Sequence, residues 1–107
     1  MSTPDPTAEL EQELRRLEEQ RGADHPEVAA CLCRLATIRH NLQQYAEAEG
    51  PYRRCLEIME KELGSESPEL APHLNNLGLL FRDRGRWEDA QPYFERARRL
   101  QGGERAS

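Results

Sequence analysis

The side chains best suited to metal binding or nucleophilic chemistry are Cys31, Cys33, Cys55, His25, His40 and His73. An odd number of thiols does not close into a disulfide framework. Cys31 and Cys33 stand two apart on a segment with helical periodicity, so they point in different directions. The histidines show no zinc-ligand spacing with the cysteines. Small thiols in core or surface positions, kept reduced in the cytosol, account for all three. The sequence therefore predicts no metal and no cofactor. The acidic pairs Glu18-Glu19 and Glu47/Glu49 are the remaining candidates for chemistry. Acid–base catalysis needs a carboxylate whose pKa is moved by a pocket. These four fall on helix faces expected to be solvated, and no nucleophile–base–orienter set accompanies them. No catalytic residue is expected, and the chain is not expected to be an enzyme.

The elements that carry these residues are limited by composition. A length of 107 residues fits one domain. Apolar residues at 36% and aromatics at 6% are too few for one thick core, but they suit thin helices that each bury one stripe. No apolar run approaches the ~18 residues of a membrane span. The start, Met1-Ser2-Thr3-Pro4-Asp5-Pro6, lacks the basic and apolar regions of a secretory signal, and a cytoplasmic location is expected. The net charge of −5 divides unevenly, with −7 over residues 1–81 and +2 over residues 82–107. An acidic chain is a poor general binder of nucleic acid, whose phosphates dominate that affinity. Its basic end favours an acidic peptide.

Internal repetition decides the architecture. A shift of 42 positions aligns Gly22 with Gly64, Pro26 with Pro68, Glu27 with Glu69 and Ala29 with Ala71. It also aligns Leu32 with Leu74, Leu35 with Leu77, Tyr45 with Trp87, Ala48 with Ala90, Tyr52 with Phe94 and Arg54 with Arg96. The same register pairs Leu14 with Leu56 and Glu18 with Glu60. Each unit reads as two helices with one inward face. In the first, Val28, Leu32, Leu35, Arg39 and Leu42 are followed by Ala48, Tyr52, Cys55, Leu56, Met59 and Leu63. In the second, Leu70, Leu74, Leu77 and Phe81 are followed by Ala90, Phe94, Ala97 and Leu100.

Local chemistry sets the expected boundaries. Pro26 and Pro68 suit a first helical turn, with Asp24 and Ser67 as N-caps. Gly22, Gly64, Gly85 and Gly102 mark exits. Pro51, Pro72 and Pro92 fall in first or second turns, where a lost hydrogen bond matters least; Pro72 is placed to tilt its helix. A further helix over 6–21, with Asp5 as cap and Leu10, Leu14 and Leu17 facing inward, matches the second helix of a unit whose first is missing. The expectation is an all-α, short right-handed solenoid of antiparallel helix pairs, about two and a half units in five helices. A repeat domain over 6–101 divides into a half unit (6–21) and two units (25–63 and 67–101), flanked by flexible segments 1–5 and 102–107.

The sequence Leu74, Leu77-Gly78, Phe81, Ala90, Phe94, Ala97 resembles the tetratricopeptide repeat. So does Leu32, Leu35-Ala36, Arg39, Ala48, Tyr52, Cys55, except that Arg39 replaces an aromatic. The 42-residue period and the phrases His25-Pro26-Glu27-Val28-Ala29 and Leu74-Asn75-Asn76-Leu77-Gly78 look like the kinesin light chain type of this repeat. The resemblance covers roughly residues 8–101. It implies a concave groove, lined by the first helix of each unit, that accepts a peptide or a partner's helix. Carried over by register, the groove positions are Cys33, Arg34, Thr37, His40 and Asn41, then Asn75, Asn76, Leu79, Arg82 and Asp83. Asparagine is ~0.6 kcal/mol poorer than alanine in a helix, so Asn75 and Asn76 suggest another gain. An amide bonds a peptide backbone as donor and acceptor at once, or it ties one helix to the next. Arg34 and Arg82 suit acidic side chains of a ligand, or sit in local ion pairs on a solvated face. Leu79 suits an apolar anchor or the core. Two and a half units are few for a stable stack. Self-association through uncovered terminal faces, or membership of a longer array, is the competing expectation.

Overall fold

The computed structural model describes residues 5–102. The terminal segments expected to be flexible lie outside them, apart from Asp5 and Gly102. Five α-helices follow one another: α1 (Ala8–Arg21), α2 (Pro26–Asn41), α3 (Tyr45–Leu63), α4 (Ala71–Asp83) and α5 (Trp87–Leu100). A single 3₁₀ turn, Pro68–Leu70, runs into α4. No strand occurs among the described residues. Helices adjacent in sequence pack against each other, and the result is an elongated slab of 57 × 33 × 17 Å. This is the expected α-solenoid of helix pairs.

The helix starts follow from side chains that satisfy free N–H groups. At α2 the cap is His25, whose Nδ1 accepts from the Glu27 amide at 3.0 Å. Asp24 was the expected cap, but it takes the ammonium of Lys61 at 3.1 Å instead. Ser67 Oγ accepts from the Glu69 amide at 3.2 Å, as expected. The turn it opens is 3₁₀ because Pro72, one residue into α4, has no N–H to bond back to Pro68. Pro72 therefore splits its helix rather than tilting it. At the first helix, Asp5 accepts from the Thr7 amide at 2.9 Å and the Thr7 hydroxyl at 2.8 Å. This local turn holds Pro6 and Thr7 outside the helix, which starts at Ala8 and not at residue 6.

The two turns within units share one geometry. Gln44 donates to the Arg39 carbonyl at 2.8 Å, and Arg86 donates to the Phe81 carbonyl at 2.8 Å. Both closures need a residue with positive φ at the same register position: Gln43 at 63° and Gly85 at 77°.

The core runs between the pairs. Leu70, Leu74, Leu77, Leu80 and Phe81 pack with Ala36, Ala48, Tyr52, Leu56, Ala90 and Ala97, while Val28, Ala29 and Leu32 pack with Cys55 and Ile58. Gly78 allows the closest approach: a Cβ there would lie 2.6 Å from the Phe94 ring. Leu42, expected inside, is half exposed, because α2 has ended and helical spacing no longer aims it. Ile58 and Leu80 are buried outside the expected stripes. Each lies on an inner helix with a neighbour on either side. By contrast, α1 buries none of its residues fully; Leu10, Leu14 and Leu17 are half-covered.

Arg39 fills the missing aromatic slot with polar bonds. Its guanidinium reaches the Glu47 carbonyl at 3.2 Å and the Glu11 carboxylate. In the second unit Phe81 occupies that slot and stacks on Tyr93 at 5.6 Å. A further contact repeats in full register between units. Arg54 pairs with Glu18 and donates to the Ala23 carbonyl at 3.1 Å. Arg96 pairs with Glu60 at 2.6 Å and donates to the Ser65 carbonyl at 3.0 Å.

Candidate protein-binding face

The residues expected to form the groove lie on α2 and α4 and divide into three small groups. Arg34 and Thr37 line an open hollow of about 480 Å³ with Pro6, Leu10, Cys33 and Ile38. The hollow exists because α1 packs on α2 and leaves Leu10 and Ile38 only half covered. Its floor is apolar and Arg34 stands at its edge. The Arg34 side chain is 61% exposed and meets Glu13 at 3.5 Å, so a ligand carboxylate competes with a weak pair.

The second group is a polar line across the two units. Thr37 Oγ1 donates to the Cys33 carbonyl at 2.8 Å and lies 3.3 Å from the Tyr52 hydroxyl. That hydroxyl is 3.4 Å from His40 Nδ1, and His40 Nε2 is 2.8 Å from Asp83. Arg82 also bonds Asp83, at 3.2 Å. The His40 bond, then Arg82, hold the Asp83 carboxyl below the usual carboxylate range, against slight burial. Arg82 is thus partly engaged within the chain.

The third group surrounds Asn76. Its amide donates toward Cys33 Sγ at 3.7 Å, which ties α4 to α2. One N–H and the carbonyl oxygen remain for other partners. Asn75 and Leu79 are half-buried, and Asn41 is exposed. Asn75 and Asn41 form no side-chain hydrogen bond among the described residues. Of the candidate groove positions, Cys33, Arg34 and Thr37 line the hollow.

Spacing along the chain pairs none of the histidines with the cysteines, yet the fold does. Cys33 on α2, Cys55 on α3 and His73 on α4 bring their ligand atoms within 4.8 Å of one another. A hydrogen bond from the Cys55 thiol, then the neighbouring His73, push the Cys33 thiol below its ordinary range. Cys55 is pushed up, first by its hydrogen bond with Cys33 and then by burial. A signal for this grouping was present in the repeat register. His73 occupies the position of Cys31, and both face the preceding helix: Cys31 donates to the Leu10 carbonyl of α1 at 3.4 Å.

The tetratricopeptide repeat family model matches residues 8–61 and, overlapping them, 33–101. The chain belongs to the tetratricopeptide repeat family. Repeats of this family mediate protein–protein interaction. A clustered mitochondria protein homolog from Eremothecium gossypii is 38% identical over 63 residues, which is 59% of this chain and 5% of that protein. The chain thus spans a small fraction of this relative's length. Among the helices, α2 packs on α3 and α4 on α5, while α1 packs on α2. Among the described residues, no helix is long and apolar enough to cross a membrane.

Proposed function

We propose that the chain is a non-catalytic scaffold that receives an acidic peptide or partner helix along the α2–α4 face. The reading is carried by one observation, the apolar-floored hollow with Arg34 and Thr37 on its wall. A ligand side chain fills the hollow while its neighbouring carboxylate pairs with Arg34. Asn75, Asn76 and Asn41 bond the ligand backbone along α4 and α2, Leu79 offers an apolar contact, and Arg82 a second cation. Within this reading, 25–63 and 67–101 act as two units behind the half unit 6–21, of the kinesin light chain type. The site of action is the cytoplasm, and neither nucleic acid nor membrane is the partner. The match to the Eremothecium protein supports the repeat alone and carries no cargo across.

The test is selection from a random peptide library on the full chain, followed by affinity measurement against an Arg34→Ala, Asn76→Ala variant. Selected peptides are expected to be rich in Asp and Glu and to lose at least about tenfold in affinity. Peptides that bind the variant equally well would place the binding surface elsewhere.

A second reading, self-association, is favoured by Trp87, which is 61% exposed, and by the poorly covered α1. Sedimentation at micromolar concentration distinguishes it: a folded monomer at every concentration removes this reading.

A further inference from the structure

The groove does not use Cys55 or His73, and these two meet Cys33 in a group of three soft donors. Their chemistry is specific. Two thiolates and an imidazole are the donor set that zinc favours over calcium or magnesium. The spacing also fits. Zinc–sulfur and zinc–nitrogen bonds of about 2.3 and 2.0 Å at tetrahedral angles put sulfur and nitrogen roughly 3.5 Å apart. The observed separation of Cys55 Sγ from His73 Nδ1 is 3.5 Å. The remaining separations do not exceed 4.8 Å, and a sulfur–sulfur edge of about 3.8 Å lies within reach of a side-chain rotation. Asn76 already aims an N–H at Cys33 Sγ from 3.7 Å, the kind of outer contact that steadies a metal-bound thiolate. Cys33 also forms part of the wall of the hollow, which gives a cation a way in from solvent.

We propose that Cys33, Cys55 and His73 form a three-ligand site for one Zn²⁺, with the fourth position open to water. On binding, each thiol releases its proton to solvent and two zinc–sulfur bonds form. The imidazole adds a neutral nitrogen, the two thiolates balance the charge of the cation, and no electrons are transferred. Because the ligands come from α2, α3 and α4, the ion fastens one repeat to the next. This site stands independently of the peptide-binding reading.

The experiment is titration of the reduced, full-length chain with Co²⁺ alone, followed by Zn²⁺. The expected result is a thiolate-to-cobalt charge-transfer band that saturates at one ion per chain and is displaced by Zn²⁺, with a rise in Tm in Zn²⁺. Cys33→Ser and His73→Gln should each weaken binding by more than ~100-fold, beyond the ~10–100-fold of outer contacts. Cys31→Ser should leave the band intact, since that thiol faces Leu10. Cys55→Ser is a third ligand variant; if helix content shows it to be unfolded, the two half-buried positions carry the test. The proposal is overturned by no charge-transfer band, by a band that survives Cys33→Ser or His73→Gln, by equal loss in Cys31→Ser, or by one ion shared between two chains.

Discussion

Gln43 holds a backbone conformation that its own Cβ makes costly. Its φ is 63°, and the matching position of the next unit carries Gly85 at 77°. The left-handed region costs a residue with a side chain roughly 1–2 kcal/mol, and glycine little. Gln43→Gly should therefore stabilise the chain by about 1 kcal/mol, part of the relief being offset by the greater freedom of glycine when unfolded. Equilibrium urea unfolding measures this as a raised midpoint with unchanged slope. Glu49 carries a pH effect. Burial pushes its carboxyl up, but bonds from Arg53 and Arg84, both at 2.8 Å, outweigh burial and leave it below its ordinary value. A depressed carboxylate contributes stability above its unfolded pKa of about 4.3, and that contribution is lost as pH falls toward the folded value. The stability gap between the chain and Glu49→Gln should thus be widest near neutrality and shrink as pH falls from about 6 through about 4.3 and below. A gap that is constant across that range would assign Glu49 no ionic role.

The helices differ in how many neighbours they have, and this separates their stabilities. Ala71, Leu74, Leu77 and Leu80 of α4 are fully buried, whereas α1 has no buried residue. Native-state hydrogen exchange should find the slowest amides in the middle of α4 and the fastest helical amides in α1. Equal protection in the two would show that α1 is covered by something else, such as a second copy. The same difference explains what was legible in the sequence. Helix identity and pairing were, because spacings such as Val28-Leu32-Leu35 and Leu70-Leu74-Leu77 are local. Burial of Ile58 and Leu80 was not, because it depends on a second neighbour that no single-helix pattern encodes. Asp24 and His25 stand side by side, and His25 caps α2 because it directly precedes Pro26 at the first helical position, as Ser67 precedes Pro68. Among candidate site residues, Arg34 and Thr37 came together in one hollow, while Asn76 turned toward Cys33. The meeting of Cys33, Cys55 and His73 required three helices to be placed first. Only the equivalence of Cys31 and His73 in the repeat hinted at it.

The whole molecule is a slab 57 Å long in which each step from unit to unit is made in the same way. Arg54 with Glu18 and the Ala23 carbonyl, and Arg96 with Glu60 and the Ser65 carbonyl, are the same joint 42 residues apart. Nearest-neighbour contacts of this sort make repeat stability close to additive. The joint has an engineering meaning. A second copy of residues 43–84, inserted after Arg84, would bring its own arginine for the unit behind it and its own glutamate for the unit ahead. Such a lengthened chain should keep its helical fraction and should unfold at a higher denaturant concentration with a larger m-value, as more surface becomes exposed. The arginine joint thus makes the block from Gln43 to Arg84 an interchangeable cassette, with matching connectors at its two ends.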